Sequence, residues 1–106
     1  MTEDAVERCA EILKAMGDRT RLMILKTLFK GEKCVTDLAK ALKMDAPRVS
    51  FHLTRLKYAG LVVDERQGQR VAYSLNPRVC RRVDGGKTEI DLGQCTVRFR
   101  PDGVVR

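Results

Sequence analysis

The sequence predicts a mainly α domain that carries a β-hairpin and, behind it, a second short hairpin. Three observations lead there. Four stretches before Gly60 repeat apolar residues near every 3.6 positions, each bounded by a capping residue or a glycine. After Gly60 the period falls to two on either side of a bend at Gly68. The 106 residues, 43% of them hydrophobic, suffice for one modest core and not for a core plus a roomy cleft between lobes.

Thr2 to Met16 places Val6, Cys9, Ala10, Ile12, Leu13 and Met16 at helical spacing, and Gly17 stops the first helix. Asp18 is an N-cap for the second, because its carboxylate can accept the free N–H groups of the next turn. Leu22, Leu25, Leu28 and Phe29 form that helix's stripe, and Gly31 ends it. Thr36 is expected to cap a short third helix with Leu38, Ala39 and Leu42 inward, followed by a tight turn at Lys43-Met44. Asp45 caps the fourth, where Pro47 sits in the first turn and its missing N–H costs nothing. Val49, Leu53, Leu56 and Ala59 should face in.

Leu61–Arg66 and Arg70–Leu75 read as strands joined by Gln67-Gly68-Gln69. Arg78–Val83 is expected to make one or two helical turns. Thr88–Leu92 and Cys95–Arg100 alternate again around Gly93-Gln94, which predicts the second hairpin. Residues 1–83 are therefore taken as one domain and residues 84–106 as an extension packed on it.

The formal charge is +7, and its placement matters more than its size. Between Lys40 and Arg82 ten cations face three anions, so this segment holds the whole excess. A partner that presents phosphates would account for that asymmetry, as would a solvated basic face. Three helices followed by a glycine-turned hairpin is the order of a winged helix, and the third-to-fourth helix step forms a helix-turn-helix. A major groove admits one helix, so the fourth must be apolar on one face and polar on the other. Its polar side offers Arg48, Ser50, Phe51, His52, Thr54 and Arg55, with the arginines suited to guanine edges or phosphates and the shorter groups to bases or backbone. Phe51 is open to two readings, a base contact or packing against Lys43 or the hairpin. Arg66, Gln69 and Arg70 flank the hairpin bend, where a cationic tip can reach the adjoining minor groove or phosphates.

Residues 12–75 resemble the ArsR/SmtB family of small dimeric winged-helix repressors. Four stretches carry the resemblance: Leu13-Lys14-Ala15-Met16-Gly17-Asp18-Arg19-Thr20-Arg21-Leu22, Gly31-Glu32-Lys33-Cys34-Val35-Thr36-Asp37-Leu38, Val49-Ser50-Phe51-His52-Leu53 and Tyr58-Ala59-Gly60-Leu61-Val62. The resemblance implies a homodimer on a palindromic operator, released when an inducer reaches cysteines or metal ligands. It also implies that the fourth helix reads DNA, with Ser50 and His52 at positions the family uses. The departures are specific. Where the metalloid-sensing branch carries a cysteine trio, this chain has Cys34 and then Thr36 and Ala39. The interfacial zinc branch uses paired Asp and His on a long last helix, whereas this chain has one histidine, His52, and strand-like alternation over residues 87–100.

Cys9, Cys34, Cys80 and Cys95 lack C-x-x-C spacing and admit three readings. They are small buried hydrophobes; or a thiol pair, Cys80 with Cys95 or Cys9 with Cys34, that oxidises or forms a persulfide; or part of a three-thiolate arsenite or soft-metal site across a dimer, Cys9 lying near Cys34 of the partner subunit. Arg78, Arg81 and Arg82 are expected to lower the Cys80 thiol pKa.

No run approaches the roughly 18 apolar residues of a membrane span, and the acidic start Met1-Thr2-Glu3-Asp4 is no secretory signal. The expectation is a cytoplasmic chain with reduced thiols. An enzyme is disfavoured, because no nucleophile stands beside His52 in sequence. The expected partners are operator DNA and a second copy of the chain, with helix one and the final segment as the interface. The competing reading is a winged-helix module that docks protein instead.

Overall fold

Capping side chains fix where the helices begin. The computed structural model describes residues 2–101. Thr2 Oγ1 accepts from Ala5 N at 3.1 Å and starts α1 (Glu3–Met16), and the Gly17 N–H closes it onto Leu13 O at 2.8 Å. Asp18 accepts from Arg21 N at 3.0 Å at the head of α2 (Arg19–Leu28). Asp45 accepts from Arg48 N at 3.0 Å at the head of α4 (Ala46–Tyr58), with Pro47 in the first turn.

The third helix departs from expectation. A two-residue strand, β1 (Lys33–Cys34), precedes α3 (Val35–Leu42), so Cys34 rather than Thr36 is the N-cap. The Cys34 N–H donates to Asp37 Oδ2 at 3.3 Å, which ties the strand to the helix. Lys43 ends α3 with φ of 55°, the left-handed conformation that turns the chain into α4.

Strands β2 (Val62–Gln67) and β3 (Arg70–Leu75) pair antiparallel with Gln67 opposite Arg70. The bend is thus two residues, Gly68-Gln69, and Gly68 takes φ of +65°. Strand β1 pairs with β3, Lys33 opposite Tyr73, giving the order β1-β3-β2.

After Asn76 the helical tendency amounts to one turn, in which Cys80 N donates to Asn76 O at 2.9 Å. The expected helical segment is otherwise β4 (Cys80–Val83), because Lys87–Asp91 lies opposite and supplies ladder partners from Cys80–Ile90 to Val83–Lys87. A 3-10 turn at Asp84–Gly86 leads into β5 (Lys87–Asp91), followed by β6 (Thr96–Phe99), in the order β4-β5-β6. The second hairpin is therefore two strands of a three-stranded sheet. A boundary at residue 83 would cut that sheet between paired strands. Residues 102–106 of the expected extension lie outside the described residues.

One core joins the elements. Ile24, Leu25, Leu38, Val49, Leu53, Leu56, Leu61 and Ile90 are fully buried in it. Phe99 of β6 packs on Phe29 with ring centroids 5.2 Å apart. Among the described residues no helix is long and apolar enough to cross a membrane.

Candidate nucleic-acid interface

Helix α4 is apolar on the side that meets α2 and α3, where Val49, Leu53 and Leu56 are fully buried. Its opposite side carries Arg48, Phe51, Thr54 and Arg55 exposed and Ser50 half-buried. Thr54 Oγ1 donates to Ser50 O at 3.0 Å, which spends its hydrogen on the helix and leaves its oxygen free to accept. Phe51 lines a groove with Ile12 and Ala15 of α1. It is 52% exposed, with the Arg55 guanidinium 5.0 Å from its ring centroid, a stacking that orients both side chains.

The hairpin stands beside this face. Lys57 Nζ of α4 donates to Asp64 Oδ2 of β2 at 2.9 Å, tying helix to hairpin and neutralising one of the few anions nearby. Arg66, Gln69 and Arg70 are all exposed around the bend. Arg70 Nη2 lies 3.7 Å from Asp37 Oδ2 on α3, a loose surface pair that a phosphate can replace.

His52 does not join the reading face. It is buried at 9% exposure, with Nδ1 3.4 Å from Arg21 Nη1 and 3.9 Å from Asp18 Oδ2. Burial holds its pKa below the ordinary value; Asp18 opposes that shift, and the positive charges of Arg21 and Arg48 add to it. A neutral imidazole therefore accepts from the Arg21 guanidinium. Arg21 also donates from Nε to Ala15 O at 2.6 Å, so one side chain ties the end of α1 to α2 and to the recognition face's underside. The sequence reading missed Arg21. It placed His52 outside, although Val49, His52, Leu53 and Leu56 follow the i, i+3, i+4, i+7 spacing of a buried seam.

The cysteines sort differently from expectation as well. Cys80 is buried with Sγ 3.9 Å from Leu61 O, and burial pushes its thiol up to about 11. Its arginine neighbours do not lower it, because Arg81 and Arg82 are exposed and engage Glu89 and the Phe29 carbonyl instead. Cys34 is half-buried in β1. Cys9 of α1 sets its Sγ 3.3 Å from Leu92 O, in the β5–β6 turn that also carries the exposed Cys95. Among the described residues no group of three His, Cys, Asp or Glu could hold a metal ion.

Helix α1 divides its apolar residues between two stripes. Ala5, Cys9 and Met16 are buried, while Val6 and Leu13 remain 48% and 45% exposed on the outer side.

A family model described as "Bacterial regulatory protein, arsR family" matches residues 18–63. The arsenic resistance transcriptional regulator ArsR1 of Pseudomonas putida is 42% identical over 74 residues, 69% of this chain and 58% of that protein. The transcriptional repressor SdpR of Bacillus subtilis is 40% identical over 68 residues, covering 64% of this chain and 76% of that one. Among solved structures, the homodimeric winged helix-turn-helix DNA-binding domain of a Mycobacterium bovis protein, described as a possible ArsR-family regulator, superposes with a TM-score of 0.68. It is 31% identical and covers 74% of this chain and 75% of that one. The match to the Pseudomonas putida regulator thus spans less than two thirds of that protein's length, and strands β4–β6 lie beyond the residues of the family model.

Proposed function

This chain belongs to the arsR family of bacterial regulatory proteins, and we propose that it is a homodimeric repressor that binds operator DNA through α4 and the β2–β3 hairpin. The observation that carries this is that α4 exposes Arg48, Thr54 and Arg55, with Ser50 half-buried, while the hairpin tied to it through Lys57 and Asp64 exposes Arg66, Gln69 and Arg70. A helix of that width fits a major groove, and the hairpin arginines then stand over the flanking phosphates. Phe51 contributes its ring beside Arg55, as an apolar contact to a thymine methyl. His52 acts from beneath, as a positioning residue that seats α4 on α2.

Dimerisation uses the outer stripe of α1, because Val6 and Leu13 expose apolar surface that a second copy would bury. A two-fold pair sets two α4 helices on successive half-sites. Release from DNA follows attack of an inducer on cysteine thiols: a reactive sulfur or oxidant within one chain, or arsenite or a soft metal where thiols of two chains meet. The cytoplasm is where such a repressor works.

The test is binding to the chain's own upstream DNA as salt is raised. Groove docking gives a steep log–log slope of about 0.9 per neutralised phosphate, and Arg48→Ala with Arg70→Ala flattens it. A slope the double variant leaves unchanged overturns the reading in favour of a protein-docking module. Sedimentation at micromolar concentration tests the dimer, and a monomer there refutes it.

A further inference from the structure

Helix α1 meets the second sheet at one polar point. The Cys9 thiol, buried, donates to Leu92 O at 3.3 Å. Leu92 opens the turn between β5 and β6, and its N–H donates to Cys95 O at 2.9 Å. Gly93, at φ +92°, gives the turn its left-handed step, and its N–H donates to Asp91 Oδ1 at 2.8 Å. The turn is thus held by its own hydrogen bonds, and it presents Cys95 to solvent three residues from the Leu92 carbonyl that the buried Cys9 thiol touches. Cys34 sits at the head of α3 and Cys80 points to Leu61 O, so neither competes for that position.

We propose that Cys9 and Cys95 form a redox-active dithiol that peroxide closes to an intramolecular disulfide, bolting α1 to the β5–β6 turn. Exposure assigns the order of events. The Cys95 sulfur, as thiolate, attacks one peroxide oxygen; the O–O bond breaks, that oxygen stays on sulfur as sulfenic acid, and the other leaves as hydroxide, which takes the released proton to give water. Cys9 sulfur then attacks the Cys95 sulfur. The S–S bond forms, and the sulfenic hydroxyl departs with the Cys9 proton as a second water. Two thiols lose two electrons in all, and one peroxide becomes two waters. A dithiol reductant reverses the change. The Cys95 thiol is raised above its ordinary value, first by desolvation and then by the Cys9 thiol beside it, so closure should quicken as pH rises.

The bond replaces the hydrogen bond from Cys9 to Leu92 O and fixes α1, which also packs on α2 and α4. This deepens the thiol-inducer reading above, and it is tested without DNA. The full reduced chain is treated with hydrogen peroxide, its remaining thiols are alkylated, and it is digested under non-reducing conditions. The expected result is a peptide pair linked Cys9 to Cys95, a monomer lighter by two hydrogens, and Cys34 and Cys80 recovered alkylated. Cys34→Ser keeps the link and Cys95→Ser abolishes it. Cys9→Ser stops at a sulfenic acid on Cys95 that a dimedone-type probe traps. A disulfide between Cys95 residues of two copies, or over-oxidised Cys95 with Cys9 still a free thiol, overturns the proposal. Either failure leaves salt-dependent operator binding by the reduced chain untouched, so the two readings fail separately.

Discussion

The molecule contains two three-stranded antiparallel sheets, and they differ in what they cover. In the first, β2 buries only Val62 and exposes every later residue to Gln67. In the second, β5 buries Thr88, Glu89 and Ile90 in succession. Neighbouring residues of a strand point to opposite faces, so three in a row means that both faces of β5 are covered. The first sheet is held at its base and projects a cationic tip; the second is a wall against which α1 and the core rest. Both turn on glycines, at Gly68 and Gly93. A glycine bend with alternating flanks therefore says that a hairpin exists and nothing of its task; burial and charge assign that.

If this division is right, damage to the second sheet costs stability and spares DNA binding, and damage to the first does the reverse. The largest expected effect is Ile90→Ala. Ile90 is fully buried and belongs to the common core, so its truncation should cost about 2–5 kcal/mol, read as a lower urea midpoint. The denaturant slope should hold if the sheet unfolds with the rest. Two transitions in place of one would show that the wall folds apart from the winged helix.

The reverse arm uses the hairpin and helix tips. Arg48→Ala with Arg70→Ala should weaken operator binding and shrink the log–log salt slope by about 0.9 for each phosphate that is no longer neutralised. Both side chains are exposed, so the unfolding free energy from urea titration should stay within about 0.5 kcal/mol of the parent. A large loss of stability would mean that the Arg70–Asp37 pair braces the fold and the two sheets are less distinct in role.

A smaller effect sharpens the second sheet's side. Glu89 is buried, accepts from Arg98 Nε at 2.8 Å and lies 3.7 Å from Arg81 Nε. Arg98→Ala leaves that carboxylate with its weaker partner and should cost about 1–3 kcal/mol in thermal or urea unfolding. Operator affinity should not move.

The contrast was only half legible in the sequence. Helices α1, α2 and α4 were readable because Asp18, Asp45 and Gly17 mark their ends chemically, and the hairpin because the period changes at Gly60. Strand β1 was not, since two residues cannot display alternation, and their pairing with Tyr73 and Ala72 is a tertiary event. Strand β4 was hidden for a related reason: Cys80-Arg81-Arg82-Val83 has no pattern of its own and becomes a strand through β5. The cationic face was legible from Arg48 to Arg70 as a charge asymmetry. His52 misled because it lies between the polar residues Ser50 and Thr54, although its spacing from Val49 and Leu56 already placed it inside. The contact of Cys9 with the turn that carries Cys95 spans most of the chain, and no local spacing encodes it.

His52 is also where the smallest prediction lies, and it decides to which regime α4 belongs. Its pKa is held below 6.5 by burial, so the folded protein resists taking the proton that the unfolded chain accepts. The sign follows. Above about pH 6.5 both states carry neutral imidazole and nothing is lost. As pH falls through that value toward the folded pKa, the unfolded state binds the proton first and stability declines, then levels off. Asp18 titrates lower, because the backbone N–H of Arg21 holds its carboxyl below 3.8, and its contribution is lost only in the acid range beneath that value. A plot of melting temperature against pH should therefore show two separate falls, and His52→Gln, which keeps an acceptor for Arg21, should remove the upper one alone. If operator affinity follows the upper fall in the parent and not in the variant, the seat beneath α4 controls reading. If melting falls and affinity does not, α4 keeps its aim through its tie to the hairpin at Lys57 and Asp64, and the exposed sheet governs DNA binding without help from the buried seam.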